Sequence, residues 1–186
     1  MALKLFSKQG LHHTKISEIS KSLKISVGSI YEYFPSKQSL ARASIQFVTQ
    51  KLASELRYIN ALAIPHREKL CQFVEVYFRF IAQYPEMIEY FFRVYLSNRD
   101  FFCEEEDCGF ALAREFVDEM ERLIEDGVRK GEFKQQNFYV NFSLVCGILG
   151  AITFLHGEDV LEEDLTVYKK EIVDTIYSAL AICQQS

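Results

Sequence analysis

The chain contains 186 residues, 49% of them apolar and 25% charged, with only eight glycines and three prolines. This composition excludes a disordered protein, allows a substantial core, and favours a mostly α-helical chain because few residues break helices. A net charge of −5 would by itself also argue against a protein that binds nucleic acid.

The charge is distributed unevenly, however. Residues 1–45 contain seven Lys or Arg and two Asp or Glu, a net charge of +5, whereas the other residues hold 14 basic and 24 acidic side chains, a net charge of −10. A basic N-terminal segment on an acidic body is expected when only that segment contacts phosphate.

The first two predicted helices are short. The first covers residues 2–9 and stops at Gly10, a natural helix terminator. Thr14 is expected to be the N-cap of the second, because its hydroxyl can accept from free N–H groups of the next turn. The apolar side chains of this second helix recur at helical spacing: Ile16, Ile19 and Leu23.

A tight turn at residues 24–25 separates the second helix from a third. Ser26 is expected to cap this third helix, which is only about two turns long. Its inward residues are Ile30 and Phe34. Pro35 ends it, because proline cannot donate the next backbone hydrogen bond.

Longer helices follow. A long helix is predicted over residues 36–63, and others over 67–83, 85–96, 110–130 and 137–155, before a last helix that carries an apolar stripe from Leu165 to Cys183. The helix over 137–155 is apolar nearly all round, so we expect it to be buried in the protein rather than to span a membrane.

The third helix carries residues that suit a helix entering the major groove of DNA. Its leading end is narrow, with small residues that can approach base edges: Ser26, Val27, Gly28 and Ser29. Tyr31, Tyr33, Lys37 and Thr14 can reach phosphates from around it. The alternative is a small helical hairpin whose tyrosines only pack.

These residues resemble the DNA-binding domain of the TetR family of transcriptional regulators. The matching pattern is Leu5-Phe6, Gly10, Thr14-x-Ile16, Ile19, Leu23-x-Ile25-Ser26-Val27-Gly28-Ser29-Ile30-Tyr31-x-Tyr33-Phe34-x-Ser36-Lys37-x-x-Leu40. The resemblance implies an all-α fold with a three-helix helix–turn–helix DNA-binding domain over residues 1–45 and a helical ligand-binding and dimerisation domain over residues 46–186.

The function that the resemblance implies is a homodimeric repressor that leaves its double-stranded DNA operator when a small molecule binds. The DNA contacts carried over from the family fall on Thr14, Ser26, Val27, Gly28, Ser29, Tyr31, Tyr33 and Lys37. Two residues depart from the pattern. Lys24 stands in the turn where the family has glycine, and Glu32 places a negative charge near the phosphates, where it could instead accept from a cytosine amine. The first helix is also short at its N-terminus.

The body holds the expected sensor and dimer surfaces. Aromatic residues are dense between residues 77 and 102, and most are expected in the core. Phe78, Tyr95 and Phe116 are candidates to line a ligand cavity, either for a cationic or aromatic drug-like molecule or for a fatty-acyl molecule. The last two helices are expected either to form a four-helix dimer interface or to complete the monomer core. The interface candidates are Gly147, Gly150, Ala151, Ile172, Ile176 and Leu180.

Other function classes find less support. No nucleophile–base pair, metalloprotease motif or phosphate loop indicates an enzyme, and no cofactor or metal is expected. Cys103 and Cys108 flank an acidic run that favours a solvated surface loop; the alternatives are a site for a soft or borderline metal and a pair of thiols that oxidise together as a sensor. The absence of a signal-like start suggests a cytoplasmic protein. The remaining alternative is a helical interaction protein whose truncated N-terminal domain no longer binds DNA.

Overall fold

A computed structural model describes residues 1–86 and 110–182, and these residues confirm the all-α prediction. They form eight α-helices: α1 Ala2–Gln9, α2 Ile16–Leu23, α3 Val27–Tyr33, α4 Lys37–Ala61, α5 His66–Gln83, α6 Arg114–Arg129, α7 Phe138–Gly157 and α8 Lys169–Leu180. A 3₁₀ turn, Phe110–Ala113, precedes α6. The predicted helix over 85–96 and the run from Cys103 to Cys108 lie outside the described residues, or almost entirely so.

The chain divides into two compact units. Unit 1 comprises residues 1–51 with the described part of 84–114, and unit 2 comprises residues 52–83 with the described part of 115–186. The boundary at residues 51–52 falls inside α4, so this one helix supplies residues to both units. The predicted domain boundary at residue 45 lies in the same helix.

Unit 1 has a core built from α1 to α4. Its buried members are Phe6, Leu11, Ile16, Ile19, Ile30, Leu40, Ala41, Ile45 and Leu112. Phe6 is fully buried, and removal of such a side chain from water contributes about 2–3 kcal/mol. The core therefore holds α1, α2 and α3 in a fixed relation, with Phe34 packed at its edge.

The turn between α2 and α3 is formed by Lys24 in the left-handed conformation, with φ 57° and ψ 38°. The N–H of Ile25 donates to the carbonyl of Ser20 at 3.1 Å, which closes the end of α2. Leu23 was expected to face inward, and that prediction is wrong. It is 44% exposed, because the chain reverses direction directly after it.

Unit 2 packs α8 against α5 and α7. Gly127 in α6 allows a close approach, since a Cβ there would lie 2.2 Å from the Phe133 ring. Tyr77 of α5 donates to the carbonyl of Leu149, and Thr153 donates to the Tyr77 hydroxyl at 3.2 Å. These bonds attach one face of α7 to α5.

The opposite face of α7 is uncovered in the single chain. Only 28% of its most apolar 18-residue window is buried, so the expectation of a helix buried all round is wrong for this chain. By length and composition α7 could also cross a membrane, although its inward face carries hydrogen-bonded Thr153 and buried Asn141. The exposed positions include Val140, Gly147 and Phe154, which recur every seven residues and so share one helix face.

Candidate nucleic-acid interface

Ser26 caps α3 as predicted. Its Oγ accepts from the backbone N–H of Ser29 at 2.9 Å and lies 2.8 Å from the Ser29 hydroxyl. An N-cap serine contributes about 1 kcal/mol to a helix. For a helix of seven residues, this contribution and the burial of Ile30 fix where α3 begins and which side faces the core.

The geometry of α3 assigns its side chains to distinct faces. Successive residues of an α-helix are rotated by about 100°, so residues two positions before and two after Ile30 lie on the side opposite to it. These residues are Gly28 and Glu32, and both are exposed. Val27 and Tyr31 lie on one flank, while Ser29 and Tyr33 lie on the other.

The flanking side chains are available to a partner. Val27 is 38% exposed, Tyr31 47% and Tyr33 78%. A surface with glycine at its centre and two phenol hydroxyls at its sides can place a helix backbone near base edges and reach phosphates beside them. The structure therefore brings together Ser26 to Ser29, Tyr31 and Tyr33, as the sequence predicted.

Thr14 does not belong to this surface. Its side chain is 1% exposed, and its hydroxyl donates to the carbonyl of Gly10 at 2.8 Å, with Leu5 O at 3.2 Å. Its predicted role as N-cap is wrong, because α2 begins at Ile16 and the capping position is Lys15. The hydroxyl turns inward and is a second donor to the Gly10 carbonyl, which also accepts from the backbone N–H of Thr14 at 3.2 Å.

Lys37 lies at the start of α4, but its ammonium is partly engaged. Nζ donates to the carbonyl of His12 at 3.1 Å and to that of Thr14 at 3.3 Å. An ammonium has three donors, so one is left for a phosphate. The side chain thus holds the α1–α2 loop against α4, and its contact with DNA stays a prediction.

The aromatic ligand candidates lie within packed surroundings. Phe78 is buried, and the ring of Phe116 lies between those of Phe73 and Phe142, with centroid distances of 6.1 and 6.2 Å. Tyr95 lies outside the described residues. These placements suit core residues, and a ligand-binding role for them stays a prediction.

The interface candidates fall into two groups. Gly147 and Ala151 lie on the exposed face of α7. The others are buried within the single chain: Gly150, Ile172, Ile176 and Leu180. Ile176 is fully buried, so these apolar side chains complete the core of unit 2, which was the alternative reading for the last helices. An interface role for any of the six residues stays a prediction.

Sequence reasoning missed a charged cluster in unit 2. His66 is fully buried; its Nδ1 lies 2.8 Å from Glu132 Oε1, and its Nε2 lies 3.1 Å from Asp126 Oδ2 without the alignment of a hydrogen bond. Lys130 donates to Asp126 at 2.8 Å and, with Arg129, lowers the pKa of that carboxyl to about 2. No local pattern could reveal it, because His66 is 60 or more residues from both acids.

A second cluster joins α4 to α6 in unit 2. Arg57 donates to Glu119 Oε1 at 2.8 Å, and Asn60 donates to Glu119 Oε2 at 3.2 Å. Burial acts to raise the pKa of Glu119, but these hydrogen bonds outweigh it and hold the pKa below its ordinary value. Beside this cluster is a polar surface cavity of about 480 Å³, lined by Asn60, Lys69 and Asp126 among others.

Comparison with known proteins agrees with this geometry. Residues 1–44 match the family described as bacterial regulatory proteins, tetR family. The chain is 39% identical over 59 residues to the uncharacterized HTH-type transcriptional regulator YuxN of Bacillus subtilis, covering 32% of this chain and 20% of that protein. It is 38% identical over 77 residues to the HTH-type transcriptional regulator HbdR of Aromatoleum, covering 41% of this chain and 33% of that protein.

The chain thus spans no more than a third of either relative, and the likeness lies in one part of each. The fold extends the similarity to the whole chain. The crystal structure of the transcriptional regulator FadR from Bacillus subtilis in complex with stearoyl-CoA matches with a TM-score of 0.79 and 16% identity, covering 96% of this chain and 95% of that one. Residues 1–44 therefore match the tetR family of bacterial regulatory proteins in sequence, and the chain as a whole shares the fold of this regulator.

Proposed function

We propose that this chain is a DNA-binding transcriptional regulator that acts as a homodimeric repressor and leaves its operator when a small molecule binds. The observation that carries the proposal is the exposed surface of α3, where Gly28 stands between two flanks that carry Tyr31 and Tyr33. Such a regulator works where the chromosome is, so we also propose a cytoplasmic location.

Gly28 supports DNA binding because the fold itself does not need a glycine there. A Cβ at this position would meet only Ser26 Oγ, at 3.5 Å, which is an ordinary contact. Its backbone conformation is helical, and glycine inside a helix costs about 1 kcal/mol relative to alanine. A glycine that destabilises its own helix without a packing reason is expected where another molecule approaches the backbone closely.

The exposed face of α7 supports the homodimer. It presents a surface that is apolar except for Ser143, with the small residues Gly147 and Ala151 at its middle, and a Cβ at Gly147 would meet no atom within 4 Å. Small residues let the backbones of two helices approach each other, and a continuous apolar helix face is destabilising in water unless it is covered. A dimer of this kind would place two α3 helices on a pseudo-palindromic site.

Asn141 supports a ligand site in the body. This side chain of α7 is 1% exposed, and neither its amide oxygen nor its nitrogen has a hydrogen-bond partner among the residues that the structure describes. Buried polar groups are normally satisfied, so a buried amide of this kind suits a pocket whose ligand brings a polar group. A fatty-acyl thioester is the ligand class we propose, since FadR from Bacillus subtilis, which has this fold, was crystallised with stearoyl-CoA.

DNA binding and release are tested together. The full chain is titrated against a labelled duplex from upstream of its own gene, at several salt concentrations, with and without stearoyl-CoA. We expect sequence-preferring binding that weakens steeply with salt, and release by the thioester. Absence of any sequence preference would refute the regulator. The titration is repeated with Asn141→Leu. If stearoyl-CoA changes DNA binding by neither the wild type nor this variant, the acyl ligand is refuted but the regulator is not.

A further inference from the structure

We propose that Glu32 is a specificity-determining residue that accepts a hydrogen bond from the N4 amine of a cytosine in each half-site. The proposal rests on the proposed DNA-binding function and names the base that α3 selects. Its structural basis is that Glu32 is the one charged residue of α3, on the face opposite buried Ile30.

The position of Glu32 directs its side chain away from the protein. Gly28 lies one turn before it on the same face, so no side chain stands between the helix backbone and whatever approaches that face. Glu32 itself is exposed and has no hydrogen bond or ion pair with any residue that the structure describes. A carboxylate with no partner in its own chain has its full accepting capacity for a ligand.

The phosphates cannot be that ligand, because two negative charges repel each other. An ionised carboxylate has acceptors and no donor, so in the major groove it can bond only to the amines of cytosine or adenine. Adenine N6 is flanked by acceptors on both sides, N7 of the same base and O4 of the paired thymine. Cytosine N4 is flanked by an acceptor on one side only, so the carboxylate favours cytosine.

The electrostatics of unit 1 strengthen the preference for a cytosine at this position. Glu32 contributes one of only two negative charges among residues 1–45, against seven positive ones. A carboxylate at the centre of a basic DNA-binding surface weakens binding to every sequence, except where a cytosine amine compensates for its lost hydration. It therefore separates specific from non-specific sites by weakening the non-specific ones.

The test is selection of preferred duplexes from a random library by the full-length chain and by Glu32→Gln. Wild type is expected to enrich a C·G pair at one fixed position of each half-site. Glutamine bonds bidentately to adenine N6 and N7, so Glu32→Gln is expected to prefer A·T there and to bind the wild-type site about tenfold more weakly. Glu162→Gln, an exposed acid in unit 2, makes the same charge change and should alter neither property.

Three outcomes would overturn the inference. One is an unchanged base preference in Glu32→Gln, and another is a uniform gain of affinity for all sequences, which would show repulsion without readout. The third is a wild-type preference for a base other than cytosine at the position that Glu32→Gln alters. The regulator itself would survive all three, since each still shows specific binding. A wild-type chain that enriches no sequence would instead refute the DNA-binding function. Circular dichroism of each variant verifies the fold.

Discussion

The hydroxyl of Thr14 donates to the backbone carbonyl of Gly10 across 2.8 Å, inside the protein and away from the α3 surface. Thr14→Val keeps the shape of the side chain but removes this donor. We expect a loss of about 1 kcal/mol in the free energy of unfolding, because the buried hydroxyl bond is lost while the Gly10 carbonyl keeps the backbone N–H of Thr14. Urea denaturation measures it.

The same variant also tests the role of Thr14 in DNA binding. At temperatures where Thr14→Val remains folded, its affinity for operator DNA should differ from the wild-type affinity by less than twofold. A large loss of affinity without a loss of stability would show that the hydroxyl contacts phosphate after all.

A side chain at Gly28 is expected to affect stability and DNA binding in opposite directions. Gly28→Ala should raise the free energy of unfolding by about 0.5–1 kcal/mol, because alanine is the better helix former and its Cβ fits. The same methyl group should weaken operator binding by about tenfold or more, since it holds α3 away from the groove floor. Thermal melting and a DNA titration on one preparation measure both. A variant that is more stable and binds equally well would contradict a close approach at this position.

Lys24 holds a left-handed conformation that favours glycine. Lys24→Gly should stabilise the protein by about 1 kcal/mol, because it relieves the contact between Cβ and the backbone. Lys21→Gly is the matched control: it removes the same side chain from an exposed helical position and should destabilise by about 1 kcal/mol. Chemical denaturation should therefore show that the free energy of unfolding rises above the wild-type value in one variant and falls below it in the other. Equal changes in both variants would contradict the strained turn.

Asp126 makes unit 2 sensitive to acid. Its pKa is held at about 2 by Lys130 first, whereas an unfolded aspartate titrates near pH 4. The folded state binds the proton less well, so the stabilisation is complete above about pH 4 and is lost as the pH falls towards 2. Asp126→Asn should reduce the loss in the free energy of unfolding between pH 4 and pH 2 by roughly 2 kcal/mol.

The control for this titration is Asp118→Asn, on the exposed face of the same helix. It should leave the pH dependence as it is in the wild type. Unfolding curves recorded at half-unit steps between pH 2 and 6 measure both variants. Identical profiles for Asp126→Asn and wild type would show that the cluster around Asp126 does not stabilise the fold through its charge.

The outer face of α7 predicts how the chain associates. Ala151→Glu places a charge at the middle of the proposed interface and should convert a dimer into a monomer, because burial of an unpaired charge costs several kcal/mol. Tyr58→Glu, at an exposed position of α4, should leave the mass unchanged. Sedimentation at micromolar concentration measures the mass, and a wild-type monomer would refute the interface.

Local sequence patterns were sufficient for the helix–turn–helix segment. Ser26 as a cap, Ile30 as an inward residue and Pro35 as a stop act over a few residues, so spacing alone predicted their places. The prediction for Thr14 was wrong, because a hydroxyl that precedes a helix can either cap the helix or turn inward. The choice depends on carbonyls of α1 that only the folded chain brings near.

For residues 46–186 the sequence was sufficient to predict the helices, but not which of their faces meet the core and which meet a partner. Ile172 and Ile176 form an apolar stripe that fits a dimer seam and a monomer core equally well, since periodicity identifies a buried face but not what buries it. The acids of unit 2 that meet His66 and Arg57 are distant in sequence, and such pairs have no local signal.

The uncovered face of α7 has a consequence for the protein in the cell. A newly made chain presents this apolar surface until something covers it, and such surfaces are what chaperones and proteases bind. In the proposed homodimer another copy covers this surface, so the lifetime of a solitary chain would be set by how soon it meets that copy. Slow synthesis favours destruction and rapid synthesis favours accumulation, so abundance of this protein should rise more steeply than its rate of production.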